Sequence, residues 1–397
     1  MATLLLVLIY VAFISLGLPD ALLGAGWPVM QSDLGVPIGF AGILQMVIAG
    51  GTITSSLFSG RILRRFGTGL TTAVSVGMTA LALFGYASSP SFFWLILAAI
   101  PLGLGAGSVD AGLNSYVAAH YQSRHMSWLH SFWGLGALLG PLVLANFLSK
   151  GMPWRQGYRT IAYFQSILLV ILVIALPLWA KVHGHKSKSN DRDLIHAHPS
   201  IRSLLRIRGV WSAMLTFFMY TGVEATMGLW GGSYLFNVES LSAVESATWV
   251  SVFYASITAG RFINGFATYR LSNHRLILIG EFTILIGIAM IILPFPLAAT
   301  LVGFVLVGLG CAPIFPSMQH ATPDHFGMEH AQDLIGLQMA AAYIGTLVLP
   351  PLFGFFAERF SLVFLPAFLG FYVVIMSIST KRLSKIDPIH VVAAGRR

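Results

Sequence analysis

The sequence predicts an all-α membrane protein with twelve transmembrane helices in two pseudo-symmetric six-helix bundles, and three observations predict it. Of 397 residues, 56% are hydrophobic and 9% charged, far too apolar for one water-soluble core. Twelve segments are apolar for long enough to cross about 30 Å of hydrocarbon as helices, the form that satisfies backbone amides without water. The loops joining them alternate in basic charge, with eighteen Lys and Arg on one side and four on the other, the asymmetry that separates cytoplasmic from opposite loops.

The segments run 4–30, 37–60, 68–89, 91–121, 124–150, 157–181, 209–236, 243–268, 272–295, 297–325, 330–357 and 361–382. Met1–Tyr10 lacks the basic start of a signal peptide, and apolarity continues past residue 25 without a small-residue cleavage site, so the first segment is expected to be retained as a span. Arg61, Arg64, Arg65, Arg124, Lys181, Arg202, Arg206, Arg208, Arg270, Arg275, Lys381 and Arg382 fall on the side assigned to the cytoplasm; Lys150, Arg155, Arg159 and Arg359 fall opposite. An even count of spans puts both termini in the cytoplasm. The expectation is a multi-pass protein of the cell (inner) membrane, in contact with the lipid bilayer and monomeric.

The longest polar stretch, 182–208, divides an amino-terminal bundle, 1–181, from a carboxy-terminal bundle, 209–397. His183, His185, His196 and His198 lie near one another there, but no carboxylate or cysteine stands at ligand spacing, so a solvated linker is expected in place of a metal site. Ile201–Arg208 has the pattern of a short basic amphipathic helix on a lipid surface. The halves repeat: Pro101–Ala106 matches Val307–Ala312, which aligns Asn114 with Gln319; Arg61 matches Arg270; Gly136 and Pro141 match Gly345 and Pro350. Two homologous bundles facing each other are the architecture of alternating-access carriers, with the ligand near the midplane.

Several function classes drop out. The net charge of +9 is explained by loop topology, so no nucleic-acid partner is expected. The single cysteine, Cys311, in an apolar run, excludes a disulfide framework and a thiolate metal cluster. No G-x-x-x-x-G-K-[ST] loop is present to hold ATP, and no cofactor is implied.

What remains is a set of acids where acids are costly. Asp20, Asp110 and Glu224 fall mid-segment, where a charged side chain costs about 3 kcal/mol on insertion scales unless it meets a partner, a ligand or water. A carboxylate in a partly dehydrated cavity can load and release a proton as access alternates, so all three are proton-coupling candidates. Asp110 and Asn114, four apart, share a helix face and can address one ligand. Sugar hydroxyls call for bidentate acceptors and amides, and pyranose C–H faces for aromatic rings. Gln45, Asn264, Gln319, Gln338, Tyr116, Trp133, Tyr220, Trp230 and Tyr254 supply these, although each could equally be a helix-to-helix contact. His130 could relay a proton or simply pack. Arg261 and Glu281 flank the loop between two adjacent segments at equal depth, about 14 Å in, and are expected to form a buried ion pair. Gly residues permit close helix contact, while Pro101, Pro313 and Pro316 free carbonyls that a cavity can use.

Gly60-Arg61-Ile-Leu-Arg64-Arg65-Phe-Gly67 resembles the conserved loop of the major facilitator superfamily, a glycine-bounded basic turn, although Arg64 stands near the usual aspartate. Within that superfamily the chain resembles the fucose:proton symporter family through Leu18–Leu23 around Asp20, Gly103–Asn114 around Asp110, Leu129–Gly136 and Tyr220–Glu224; two extra residues precede Asp110, and Glu224 stands where an amide is usual. The resemblance implies proton-coupled symport of a neutral monosaccharide, a hexose or deoxyhexose. Asp20 and Asp110 would share proton coupling and sugar binding, with sodium as an alternative coupling ion. A proton-coupled exporter of drugs or amphipathic metabolites is the rival on the same fold, and its cavity would be more aromatic and less amide-rich. A membrane-embedded enzyme would need a convergent nucleophile and base, and none stands out.

Overall fold

A computed structural model describes residues 2–121, 123–183 and 201–385. The chain opens with α1 (Ala2–Asp20) and α2 (Leu22–Leu34), one apolar rod broken at Ala21. Pro19 has no N–H to offer the Ser15 carbonyl one turn back, and Gln165 from a later helix fills the vacancy, donating to that carbonyl at 2.6 Å. The Ser15 hydroxyl in turn donates to the Gln165 amide oxygen, so the defect becomes an interhelical joint.

Then comes α3 (Phe40–Ala87), a 48-residue element with a non-helical break at Gly67, φ 74° and ψ 162°. That left-handed backbone is open to glycine and costly for other residues. It lets one apolar half end and the next begin immediately beyond the basic turn. There follow α4 (Phe92–His120), α5 (Ser123–Ser149), α6 (Trp154–Ile174), α7 (Leu176–His183) and the short α8 (Ile201–Leu204). The second half of the chain holds α9 (Val210–Asn237), α10 (Ala243–Ala267), α11 (Asn273–Ile292), α12 (Leu297–Phe326), α13 (Met328–Arg359), a single 3-10 turn at Leu362–Phe364, and α14 (Leu365–Leu383).

Among the described residues, nine helices are long and apolar enough to cross a membrane. The sequence led us to expect twelve such segments, and the difference has physical sources. α3 holds two of the expected segments, one on each side of the break at Gly67, while α9 and α10 are diluted by polar side chains, Glu224, Arg261 and Asn264 among them. The helix expected over Ile201–Arg208 covers only Ile201–Leu204; beyond it Arg206 and Ile207 donate three residues back in tighter turns. Most of the linker, 184–200, with His185, His196 and His198, lies outside the described residues.

In the first half α3 packs on α4 and α6, and α1 on α5; in the second, α9 packs on α13 and α14, and α12 on α10 and α11. Contacts between the halves run through α5–α10, α3–α13, α2–α9 and α2–α10. At one end these contacts are backbone-close. A methyl group on Gly42 would lie 2.9 Å from the Pro351 Cα, and one on Gly24 would run into the Gly228 carbonyl. Small residues are what allow helices to meet this tightly without water. Toward the other end the halves part around a cavity.

Candidate functional site

The cavity has a volume of about 570 Å³ and is walled by both halves of the chain. Three acids face it, Asp20 from α1, Asp110 from α4 and Glu224 from α9, each where the sequence placed a costly charge. Asp20 is exposed although it lies midway along the first apolar rod, so the cavity opens to that depth.

Each acid is held differently. Asp20 accepts one bond, from the Trp133 indole N–H to Oδ2 at 2.7 Å. Asp110 accepts from two neutral donors: Asn114 Nδ2 reaches Oδ1 at 2.9 Å and the Tyr343 hydroxyl reaches Oδ2 at 2.9 Å. Glu224 accepts from the Tyr220 hydroxyl one turn away and lies 3.6 Å from the Arg261 guanidinium. That guanidinium also sits 5.5 Å from the centre of the Trp133 ring, within cation–π range. Trp133 therefore holds Asp20 of the first half with its edge and Arg261 of the second half with its face. Tyr343, from α13, reaches Asp110 on α4 across the cavity.

Gln45, His130, Tyr254 and Gln319 also line the cavity, as does Asn264. His130 stands edge-on to Phe13 at 6.0 Å, and Tyr254 stands edge-on to Trp133 at 6.4 Å. Gln319 donates to the Met339 sulfur at 3.3 Å. Asn114 stands behind Asp110, donating to both its carboxylate and its carbonyl.

Other expected site residues lie elsewhere. Trp230 is fully buried and gives its N–H to the Pro350 carbonyl at 2.8 Å, behind the wall. Gln338 is buried and accepts from the Thr322 hydroxyl at 2.9 Å. Tyr116 stacks on His120 at 4.3 Å, also away from the cavity. The expected pair of Arg261 with Glu281 is not formed. Glu281 accepts from the Thr380 hydroxyl of α14 at 2.7 Å, while Arg261 turns to Glu224. The two side chains leave their helices toward different partners.

In the basic turn, Arg61 lies over Phe58 at 5.8 Å and Arg65 over Phe66 at 5.4 Å, and among the described residues no carboxylate pairs with Arg61, Arg64 or Arg65. Gly60 stays helical, and the break falls on Gly67 alone. Among the described residues no group of three or more His, Cys, Asp or Glu is arranged to hold a metal.

The residue that sequence reasoning missed is Tyr343. A usable signal was present: Met339, Tyr343 and Thr346 recur at helical spacing, and all three line the cavity, which leaves Gln338 about 100° away on the packed side.

A two-sided helical cavity with acids set midway along apolar helices defines a membrane carrier, and the chain belongs to the Major Facilitator Superfamily, whose sequence signature spans residues 9–350. It is a transporter, not an enzyme. It is similar to the glucose/mannose transporter GlcP of Bacillus subtilis, 27% identical over 333 residues that cover 81% of this chain and 80% of that protein. It is also similar to bypass of stop codon protein 6 of Saccharomyces cerevisiae, 22% identical over 385 residues, 90% of this chain and 77% of that one. Among solved structures, the fold matches a nucleoside transporter NupG variant with a TM-score of 0.76, at 14% identity over 95% of this chain and 99% of that one. It matches a D-xylose-proton symporter with a TM-score of 0.74, at 12% identity over 96% and 97%.

Proposed function

We propose that the chain is a proton-coupled symporter of a neutral monosaccharide, a hexose or deoxyhexose, working by alternating access. In this reading twelve spans form two six-helix bundles, 1–181 and 209–397, joined by the cytoplasmic linker 182–208, in a monomer of the inner membrane with both termini cytoplasmic. The observation that carries it is Asp20: a carboxylate midway along an apolar rod, exposed to the cavity, with Oδ2 held by Trp133 and Oδ1 without a hydrogen-bond partner among the described residues. Such a group can take a proton or a sugar hydroxyl without first breaking an ion pair. The similarity to a glucose/mannose transporter and the shared fold with a xylose-proton symporter support the substrate class. The closely packed end, where α2 meets α9, becomes the shut outer gate, and the opposite end the cytoplasmic mouth.

The test is uptake into proteoliposomes across a panel of sugars, with an inward proton gradient, with a sodium gradient and with neither, for wild type, Asp20→Asn and Asp110→Asn. Proton-driven accumulation of a hexose is expected in wild type. In Asp20→Asn accumulation should vanish while sugar exchange persists. Accumulation driven only by sodium would change the coupling ion.

One observation favours the exporter reading. Eight aromatic rings line the cavity, Phe13, Tyr86, Trp133, Tyr158, Tyr220, Tyr254, Phe315 and Tyr343, against three amides, Gln45, Asn264 and Gln319. If every sugar fails and an amphipathic cation moves outward against a proton gradient, that reading replaces the first.

A further inference from the structure

Remote from the central cavity, a second hollow of about 320 Å³ lies where the chain enters α9 and leaves α14, lined by Arg208, Gly209, Ser212, Arg382 and Lys385. Three cations from segments more than 170 residues apart in sequence converge on it. Among the described residues none of the three pairs with a carboxylate. Gly209, at φ 95°, makes the left-handed turn that brings Arg208 and Ser212 to the same hollow. Loop charge alone does not produce this. Arg61 and Arg65, equally basic and on the same assigned side, fold back over Phe58 and Phe66.

The surface leading to the hollow indicates what fills it. On α14, Phe371, Val374 and Ile378 are 61%, 50% and 49% exposed. Their spacing of three and four puts them on one helix face, and the next residue of that row is Arg382. On α9, which packs against α14, Trp211 and Leu215 are exposed four residues apart beside Arg208 and Ser212. Two apolar strips therefore run along packed helices and end at three unpaired cations and a hydroxyl. Arg offers a planar fork to phosphate oxygens, Lys a point charge, and Ser a further donor. A soluble phosphate would use the charges and leave the strips idle.

We propose that this hollow binds the phosphodiester headgroup of an anionic phospholipid, with an acyl chain lying along the exposed strips of α9 and α14. The assignment does not depend on which solute the central cavity carries. The purified full-length protein in detergent is incubated with phosphatidylglycerol, phosphatidylcholine or inorganic phosphate, and retained lipid is counted by native mass spectrometry. Phosphatidylglycerol should be retained in preference to phosphatidylcholine. Arg382→Ala with Lys385→Ala should lower its retention roughly tenfold or more, given the usual worth of each basic residue near a charged headgroup, while Arg64→Ala with Arg65→Ala should leave it unchanged. A gentler pair, Ser212→Ala with Arg382→Gln, should move retention the same way and guards against misfolding of the first. Equal retention of the two lipids, or wild-type retention in both test pairs, overturns the site. Displacement of phosphatidylglycerol by millimolar phosphate makes it a soluble-anion site and overturns the lipid assignment.

Discussion

Asp20 and Glu224 are both acids at mid-depth on helices that wall one cavity, yet their surroundings differ in kind. Among the described residues Asp20 has one neutral donor, and it is exposed to the cavity. Glu224 has a hydroxyl and a fixed guanidinium, with both charged side chains 15% exposed. A carboxylate paired with a cation must give up that pair before it can bind anything else. One held by neutral donors has no pair to break. The lesson is that depth in the apolar segments marks all three acids as special, and the partner is what distinguishes them. Asp110, with two neutral donors and no salt-bridge partner among the described residues, resembles Asp20 in its surroundings.

The largest effect should come from breaking the fixed pair. Arg261→Gln leaves Glu224 as an uncompensated buried charge, which typically costs about 3–5 kcal/mol, and should lower the thermal unfolding temperature in detergent steeply. The double variant Arg261→Gln with Glu224→Gln removes both charges and should recover most of that loss. If the double variant is no more stable than the single one, the pairing of Glu224 with Arg261 is not what holds it, and the contrast with Asp20 fails.

A smaller effect sharpens the other side of the comparison. Trp133→Phe keeps a ring for Arg261 and deletes the N–H that Asp20 accepts, while Tyr343→Phe deletes the hydroxyl that reaches Asp110. A hydrogen bond to a charged group is worth about 1.5–3 kcal/mol of stability, so each change should lower the unfolding temperature by no more than that loss allows and also raise the apparent KM for substrate about tenfold. A fall in stability with unchanged KM would make these bonds structural and return the working role to some other acid.

Much of this arrangement was legible in the sequence, and what was not shares one cause. The apolar segments, the basic turn ending at Gly67 and the three acids follow from composition along the chain, because burial of charge and of backbone is set by depth. The segment predicted at 124–150, for example, appears as α5, Ser123–Ser149. Direction around the helix axis is a second coordinate, and it was used only for Asp110 and Asn114. Arg261 and Glu281, expected to meet, turn to Glu224 and Thr380 instead. Trp230 faces Pro350 from α9 while Tyr220 and Glu224 on the same helix face the cavity. Tyr343 was missed because a neutral side chain in an apolar segment raises no question of cost, although its partner across the cavity does.

The smallest expected effect tests that account of direction. Gln338 was a ligand candidate on residue type, yet it is 2% exposed and spends its Oε1 on the Thr322 hydroxyl. Gln338→Met keeps the volume and deletes the acceptor, leaving Thr322 its own backbone bond to Met318. The loss is then one neutral interhelical bond, which averages about 0.6 kcal/mol in membranes. Unfolding should shift by a degree or so at most on the order of that energy, and the KM for any transported solute should stay within about twofold, since that bond is not made to the ligand. Gln319→Met is the matched comparison, one helix over and lining the cavity, where a KM change is expected with little change in stability. A Gln338 variant that alters KM more than its Gln319 counterpart would show that the helix carrying Tyr343 turns in the working cycle, bringing its packed face to the ligand.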